Sequence, residues 1–212
     1  MSSGIQLPRL YPIIDAIQFS TGSVEPVLRF AEELIQAGAK LIQYRDKSQN
    51  ARRMLSCARE LRRVTRDRAR LIINDRTDIC LAAEADGVHL GQEDLSPQAA
   101  YRIFSGAGKP LWIGLSTHNP EQLREAGTFP VDYMAVGPVF ATRAKANPDP
   151  VIGLEGVRQA RRLTSKPLVA IGGITRENCR DVIESGADSV AVITDLLSSP
   201  AKAVEDFIRI LG

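Results

Sequence analysis

The sequence predicts an α/β fold, a single (β/α)8 (TIM) barrel that spans residues 1–212. Short apolar, β-prone runs alternate with amphipathic segments along the whole chain, and eight such pairs follow one another with short links. No change in composition divides the chain, and 212 residues is a length found among barrels of one domain. These observations favour one barrel over two smaller domains.

The first four strand–helix pairs are predicted from apolar runs that end in polar groups, each followed by a helical segment. Gly38 closes the first helix, and Ser96 before Pro97 supplies an N-cap and a first-turn proline for the fourth. In order, the predicted elements are strand 10–14, helix 24–36, strand 41–47, a basic helix within 51–70, strand 70–75, helix 78–85, strand 87–90 and helix 97–104.

The last four pairs are predicted on the same grounds. Asn119 before Pro120 predicts a further helix start, and Thr175 is predicted to cap the seventh helix, which stops at Gly186. In order, the predicted elements are strand 111–116, the helix that opens at 119–120, strand 133–136, helix 154–163, strand 168–171, helix 175–186, strand 189–193 and helix 200–211.

An open, doubly wound sheet is the competing architecture. It would normally carry a glycine-rich dinucleotide turn after its first strand, and Ile14-Asp15-Ala16 is not such a turn. A glycine at a helix end followed directly by a strand recurs within the ranges 37–41, 85–88 and 185–190. This weak internal recurrence favours the barrel.

Composition narrows the range of partners. The net charge of +2 is too small to imply a polyanion, and the eight arginines within residues 51–70 fit the solvated face of one amphipathic helix. No aromatic side chains interleave with them to stack on bases, so no nucleic-acid partner is predicted. The sequence does not determine whether copies of the chain form a homo-oligomer.

Targeting and cysteine signals point to a reducing compartment. The three cysteines, Cys57, Cys80 and Cys179, are widely separated and odd in number, which argues against a disulfide framework and a zinc site. Neither a signal peptide nor a long apolar span appears, so we expect a cytoplasmic protein without membrane contact.

Polar side chains follow the predicted strands at the ends that a barrel gathers on one rim. In the second strand Gln43, Arg45 and Lys47 alternate and point to one side, where an enclosed site would need an anionic or strongly polar partner. A surface edge strand would also tolerate them. The predicted rim residues are Asp15, Gln43, Arg45, Lys47, Asn74, Asp75, His89, Asp94, Ser116, His118, Thr142, Lys145, Gly172, Gly173 and Thr194.

Asp75 and Asp94 form a candidate magnesium site. Two carboxylates with water and a substrate phosphate are a common way for proteins to hold Mg²⁺. The alternative is that each aspartate caps a helix. For Asp94 this alternative is weak because Ser96 already occupies the cap position, whereas for Asp75 it stays open because Thr77 and Asp78 are near.

The turns after strands seven and eight are candidate phosphate sites. Gly172-Gly173 and Ile193-Thr194 lie where barrels often bind phosphate through backbone N–H groups, although a tight turn alone would also select two glycines. Ser116 belongs to an incomplete nucleophile elbow, so we expect it to donate a hydrogen bond to a phosphate oxygen. The long segment 139–153 suits a lid over an anionic substrate or a surface loop.

Six motifs in order resemble those of thiamine-phosphate synthases and the related thiazole tautomerases, over nearly the whole length of the chain. They are Gln43-Tyr44-Arg45-Asp46-Lys47, Ile73-Asn74-Asp75, the segment 86–94, Gly114-Leu115-Ser116-Thr117-His118, Gly137-Pro138-Val139-Phe140 and the segment 170–174. The resemblance implies an Mg²⁺-dependent transferase acting on small phosphorylated substrates. It would join hydroxymethylpyrimidine pyrophosphate to thiazole phosphate and release pyrophosphate.

The resemblance also implies a role for each site residue. The pyrophosphate would be held by the catalytic residues Arg45, Lys47, Ser116 and Lys145, and the magnesium by Asp75 and Asp94. The remaining implied contacts would come from Gln43 and Asn74 at the pyrimidine and from Gly173, Ile193 and Thr194 at the thiazole phosphate. The residues themselves add three further predicted substrate-binding positions, which are His89 in the pocket wall, Gly172 in the turn after strand seven and Thr142 in the segment 139–153.

Two departures and two alternatives accompany this reading. Ala144 stands where synthases usually carry a second threonine before the lysine of the sixth loop, and Thr194 stands where serine is common. A tautomerase, which needs neither pyrophosphate nor magnesium, is the nearest alternative, and retention of Asp75, Asp94 and Lys47 favours the synthase. A silent barrel that binds a metabolite and regulates another process is the second alternative.

Overall fold

A computed structural model describes residues 5–19, 23–142 and 149–212. The strands, numbered in chain order, are β1 Leu10–Asp15, β2 Leu41–Arg45, β3 Arg70–Asn74, β4 Gly87–Leu90, β5 Trp112–Thr117, β6 Tyr133–Val136, β7 Leu168–Ile171 and β8 Ser189–Val192. The helices are α1 Glu25–Gln36, α2 Ala51–Thr65, α3 Thr77–Ala82, α4 Pro97–Gly106, α5 Pro120–Gly127, α6 Gly153–Leu163, α7 Cys179–Glu184 and α8 Pro200–Leu211. Short 3₁₀ helices follow β1 (Ala16–Phe19) and β8 (Thr194–Leu196).

All neighbouring strands pair in parallel, and β1 pairs with β8 to close the barrel. The predicted (β/α)8 fold is therefore confirmed. Side chains of Ser96 and Asn119 accept hydrogen bonds from the first turns of α4 and α5, as the sequence predicted. Thr175 does not cap α7, which begins four residues later at Cys179; its hydroxyl instead accepts a hydrogen bond from the Glu177 amide in a turn.

Strand alternation creates two separate apolar cores. Side chains pointing into the barrel form a small inner cluster that includes Tyr11, Leu41 and Ile72, while those pointing outward pack with the helices in a large outer cluster. Ile42 and Ile73, which alternate with inner residues, belong to the outer cluster. The inner cluster fills the interior of the barrel below the carboxyl ends of the strands.

Three aspartates, each directly before a strand, link neighbouring strands at the amino-terminal end of the barrel. Asp86, Asp132 and Asp188 each accept a hydrogen bond of 2.8 Å from a backbone N–H of the preceding strand, at Leu71, Ile113 and Leu168. The same contact thus joins β3 to β4, β5 to β6 and β7 to β8. Two of these aspartates, Asp86 and Asp188, lie within the recurring segments 85–88 and 185–190. The contacts lie at the end of the barrel where residues usually serve stability and not chemistry.

The arginine-rich segment is the solvated helix that the sequence predicted. Met54, Cys57, Ala58 and Leu61 of α2 are buried, while most of the arginines face solvent. All three cysteines are buried free thiols. Within the described ranges, no helix combines the length and the apolar character needed to cross a membrane.

Candidate active site

A cavity of about 730 Å³ opens at the carboxyl ends of the strands. The structure brings the predicted residues of its described ranges together around this cavity, except for Asp15, which is buried behind Arg45 and does not line it. The roles of these residues stay predictions. The lining includes Gln43, Arg45, Lys47, Asn74, Asp75, His89, Asp94, Ser116, His118, Thr142, Gly172, Gly173, Ile193 and Thr194. Lys145 lies outside the described residues, as do Arg143 and Ala144.

Arg45 enters the cavity as part of an ion pair. Its Nη1 lies 2.5 Å from Oδ2 of Asp15, and the two residues are register partners on β1 and β2. The side chain of Asp15 is only 2% exposed and that of Arg45 is 24% exposed. The buried carboxylate restricts the conformation of the Arg45 side chain, so the guanidinium is already positioned at the rim before a ligand binds.

Lys47, Asp75 and Asp94 form a charged cluster on the neighbouring side. Lys47 Nζ lies 2.5 Å from Oδ2 of Asp75, and the two carboxylates lie within hydrogen-bonding reach of each other. Burial, followed by the hydrogen bond with Asp75, raises the pKa of Asp94 above its usual range. A short turn holds Asp94, because the Gly91 amide donates to its Oδ2 at 2.7 Å. Two carboxylates brought together need a shared cation or proton.

The alternative that Asp75 caps a helix is not supported by the structure. Arg76 occupies the N-cap position of α3, and no side chain caps that helix. Asp75 instead has a φ of 62°, a left-handed conformation that is uncommon outside glycine and more frequent in aspartate, and it turns its carboxylate toward Lys47. Beside it, Nδ2 of Asn74 is buried and has no hydrogen-bond partner within the described part of the chain. A ligand acceptor in the cavity would satisfy this donor.

A row of buried polar groups crosses the barrel beneath the cavity. Gln43 Nε2 lies 3.0 Å from Tyr11 Oη, which lies 2.9 Å from Tyr133 Oη. Tyr133 Oη lies 3.1 Å from Nδ1 of His89, whose Nε2 lies 2.9 Å from Ser116 Oγ. Burial lowers the pKa of His89 to about 4, so its ring is neutral near pH 7.

Tyr11 and Tyr133 were missed by the sequence analysis. Both are almost fully buried, and each lies on the inward-facing side of its strand. Strand alternation could have found Tyr11, which shares the inward face with Ile13 and Asp15. It could not have shown that the two hydroxyls meet, because they belong to non-adjacent strands, β1 and β6, with β7 and β8 between them.

The glycine pair after β7 has a structural reason of its own. Gly172 and Gly173 have φ values of 103° and 63°, and a Cβ on either would lie 2.5 Å from atoms of the sixth loop, at Pro138 and Ala141. The amide of Phe140 also donates to the carbonyl of Gly172. The tight-turn reading is therefore correct, and it is compatible with phosphate binding because the pair lines the cavity together with the 3₁₀ helix that begins at Thr194.

His118 connects the fifth strand to the sixth loop. Its Nδ1 lies 3.2 Å from the carbonyl oxygen of Gly137 and 3.3 Å from Oδ2 of Asp149. The predicted lid, residues 139–153, is described only at its two ends, 139–142 and 149–153. Closure over a substrate therefore stays a prediction.

The fold and the cavity define a (β/α)8-barrel protein with one charged pocket at the carboxyl ends of its strands, where barrels of this class bind their ligands. Comparison with known proteins identifies the family. The family model described as thiamine monophosphate synthase matches residues 10–196, and the chain belongs to that family.

Individual relatives agree with this assignment. The chain is 54% identical to the thiamine-phosphate synthase of Koribacter versatilis over 212 residues, which cover 100% of the chain and 99% of the relative. It is 44% identical to that of Methanospirillum hungatei over 82% of the chain and 83% of the relative. The solved thiamine phosphate pyrophosphorylase of Pyrococcus furiosus superposes with a TM-score of 0.82 at 35% identity, covering 96% of this chain and 95% of the other.

Proposed function

We propose that this chain is a thiamine-phosphate synthase, a transferase that joins hydroxymethylpyrimidine pyrophosphate to thiazole phosphate and releases pyrophosphate. The principal observation is the cluster of Lys47, Asp75 and Asp94 at one cavity with Arg45 and Ser116. A departing pyrophosphate needs this combination of cations, a hydroxyl donor and a cation-binding carboxylate pair, because negative charge accumulates on it as its bond breaks.

The carboxylate pair suits magnesium. Asp75 and Asp94 lie close together, and burial with the neighbouring carboxyl of Asp75 raises the pKa of Asp94. A divalent cation held between the two carboxylates would offset their mutual repulsion. Mg²⁺ is usually held by one or two carboxylates and completes its shell with water and substrate phosphate, and a pair of aspartates fits that pattern. When bound there, Mg²⁺ would neutralise charge on the pyrophosphate.

The side chains of the chain would hold the leaving group. Arg45 and Lys47 would bind phosphate oxygens, with Lys145 as a further predicted contact from the sixth loop. The Ser116 hydroxyl would donate a hydrogen bond to one of these oxygens. The bond between the pyrimidine methylene carbon and the pyrophosphate oxygen breaks, and its electron pair leaves with the oxygen. The thiazole nitrogen supplies the pair for the new carbon–nitrogen bond, so no proton is moved and no protein base is needed.

The two heterocycles would be positioned by opposite parts of the rim. Gln43 and the unpartnered amide of Asn74 would bind the pyrimidine, and the turn at Gly173 with Ile193 and Thr194 would bind the thiazole phosphate. Holding the thiazole nitrogen in contact with the pyrimidine methylene carbon would supply much of the rate acceleration. His89, Thr142 and Gly172 complete the predicted pocket wall, and cytoplasmic location stays a prediction.

One mixture tests this proposal. The purified chain is incubated with both substrates, with and without Mg²⁺, and thiamine phosphate is measured. We expect product only with the metal. No product under either condition would refute the synthase, and metal-independent isomerisation of a thiazole carboxylate phosphate would indicate the tautomerase instead.

Asp94→Ala tests the metal site separately. We expect turnover to fall by about a hundredfold or more with the fold intact by near-UV circular dichroism, since charge on the leaving group would lose its neutralisation. Glu205→Gln, which removes an exposed carboxylate of α8, is the matched control and should keep wild-type turnover. Unchanged turnover in Asp94→Ala would remove the metal role while leaving the synthase assignment open to the mixing test.

A further inference from the structure

The hydrogen bonds of the buried polar row beneath the cavity all run in one direction, from each donor to the next member of the row. It comprises Gln43, Tyr11, Tyr133, His89 and Ser116, and we call it the polar relay. We infer that the relay fixes His89 as the Nε2–H tautomer and so forces Ser116 to present its hydroxyl proton to the ligand, with Tyr11 and Tyr133 acting as positioning residues. The Ser116 end of this inference rests on the proposed function, and the tautomer does not.

Counting protons along the relay gives its direction. Gln43 Nε2 can only donate, so Tyr11 Oη accepts its hydrogen bond and passes its single proton to Tyr133 Oη. Tyr133 then passes its own proton to Nδ1 of His89. A neutral imidazole carries one proton, which must therefore be on Nε2, 2.9 Å from Ser116 Oγ.

The opposite direction leaves a buried donor unpaired. If Ser116 donated to His89 Nε2, the imidazole proton would be on Nδ1 and would point to Tyr133, which would donate to Tyr11. Tyr11 would then accept from both Tyr133 and Gln43, and its own proton would have no partner among the contacts of the described residues. An unpaired buried donor is strongly disfavoured, so the first direction is the stable one.

The ionisation of the members supports a neutral, fixed relay. Burial lowers the pKa of His89 to about 4 and raises the pKa of both Tyr11 and Tyr133, so no member ionises near pH 7. Ser116 already accepts one hydrogen bond from His89, so its own proton is left for the cavity. The Gln92 side chain also donates to the Ser116 carbonyl at 2.5 Å, which fixes the backbone that carries this hydroxyl.

The surrounding packing reserves space for the relay. A Cβ on Gly114 would lie 2.1 Å from Cζ of Tyr133 and 2.4 Å from its hydroxyl. Glycine at this position of β5 therefore leaves the space that the Tyr133 ring occupies. The rings of His89 and Tyr133 stack with centroids 5.6 Å apart, and Tyr11 meets Tyr133 edge-on at 6.0 Å.

The tautomer can be read directly by ¹⁵N NMR without any ligand. The chain has only two histidines, so histidine-selective labelling gives two rings, and His118→Gln assigns them. We expect His89 to show a protonated Nε2 and a pyridine-type Nδ1 at pH 7. A proton on Nδ1 would mean that Gln43 accepts through its amide oxygen and the relay runs the other way, which would overturn the inference whether or not the chain is a synthase.

Tyr133→Phe tests the positioning role. It keeps the ring and removes the proton donated to Nδ1, and the phenyl ring offers no acceptor for an Nδ1 proton. We therefore expect His89 to stay Nε2–H while the ¹⁵N shift of its Nδ1 moves toward that of a pyridine-type nitrogen without a hydrogen bond. Tyr44→Phe is the matched control, because Tyr44 is equally buried and donates to Asp46 at 3.0 Å, but it points to the outer core. The control loses a buried hydrogen bond yet should leave the Nδ1 shift of His89 unchanged.

Binding of inorganic pyrophosphate in the presence of Mg²⁺ measures the consequence at Ser116. Ser116→Ala should weaken binding about tenfold, as expected for a lost hydrogen bond to a charged group, and Tyr133→Phe should weaken it less. In the double variant Tyr133→Phe should add nothing, because its effect passes through the serine hydroxyl. Additive losses would refute the positioning role. Absent synthase activity together with the expected tautomer would refute only the proposed function.

Discussion

Protonation of His89 should couple the stability of the barrel to pH. Its pKa falls from 6.5 to about 4 because the ring is buried. Between these values the unfolded chain binds a proton that the folded chain does not, so the free energy of unfolding decreases as the pH falls. The full difference is about 3 kcal/mol below pH 4, and about 2 kcal/mol of it should be lost between pH 7 and pH 5.

Urea unfolding in metal-free buffer, followed through the single Trp112, measures this effect. We compare the wild type with His89→Gln, which should be less stable at pH 7 but should lose about 2 kcal/mol less than the wild type on going to pH 5. Ile73→Val, a buried apolar control on the outer face of β3, should lower stability equally at both pH values. Equal pH slopes in all three proteins, or a His89 ring that titrates near pH 6.5 by NMR, would refute the reasoning.

Two further substitutions test the packing around the site. Gly114→Ala should cost about 1–3 kcal/mol of stability, because its Cβ would lie 2.1 Å from a Tyr133 ring atom, whereas Gly106→Ala, with nothing within 4 Å, should cost nothing measurable by urea unfolding; equal stabilities would contradict the predicted overlap. Asp15→Asn should cost about 3 kcal/mol because it leaves Arg45 without its carboxylate partner, and thermal unfolding should show partial recovery on addition of pyrophosphate; an unchanged melting temperature would mean that the pair contributes little.

The site combines two levels of organisation. Apolar inner residues such as Leu41 and Ile72 fill the interior of the barrel, and the polar relay, whose Tyr11 and Tyr133 belong to the same inner cluster, lies beneath the cavity. The charged groups, Arg45, Lys47 and the two aspartates, stand above the relay at the rim. A rigid buried layer below the charged rim is a common arrangement for positioning reactive groups, because packing and hydrogen bonds hold the groups that support the substrate contacts.

The sequence predicted the boundaries of a helix or strand well where residues next to the boundary mark it. The strands 87–90, 133–136 and 168–171 and the helix 200–211 were predicted to the residue, since a change of hydrophobic period and a proline or glycine mark each boundary. The start of α7 was predicted too early. Thr175 has the chemistry of a cap, but Asn178 and the loop geometry place it in a turn before the helix.

The sequence by itself determined the fold class, the rim on which polar residues gather and, through its motifs, the family. These features depend on alternation along each strand and on the parallel arrangement that brings every carboxyl end to one side. That all 212 residues form one domain, and the roles of the individual site residues, stay predictions.

Only the tertiary structure decided which groups meet across the barrel. It paired Arg45 with Asp15, brought Asp75 against Asp94, and joined Tyr11 to Tyr133 over 122 positions of chain. The physical reason is that closure of the sheet and its register fix distances between residues on non-adjacent strands, and no local pattern encodes those distances. The direction of the polar relay follows from these contacts and could not be derived from any single strand.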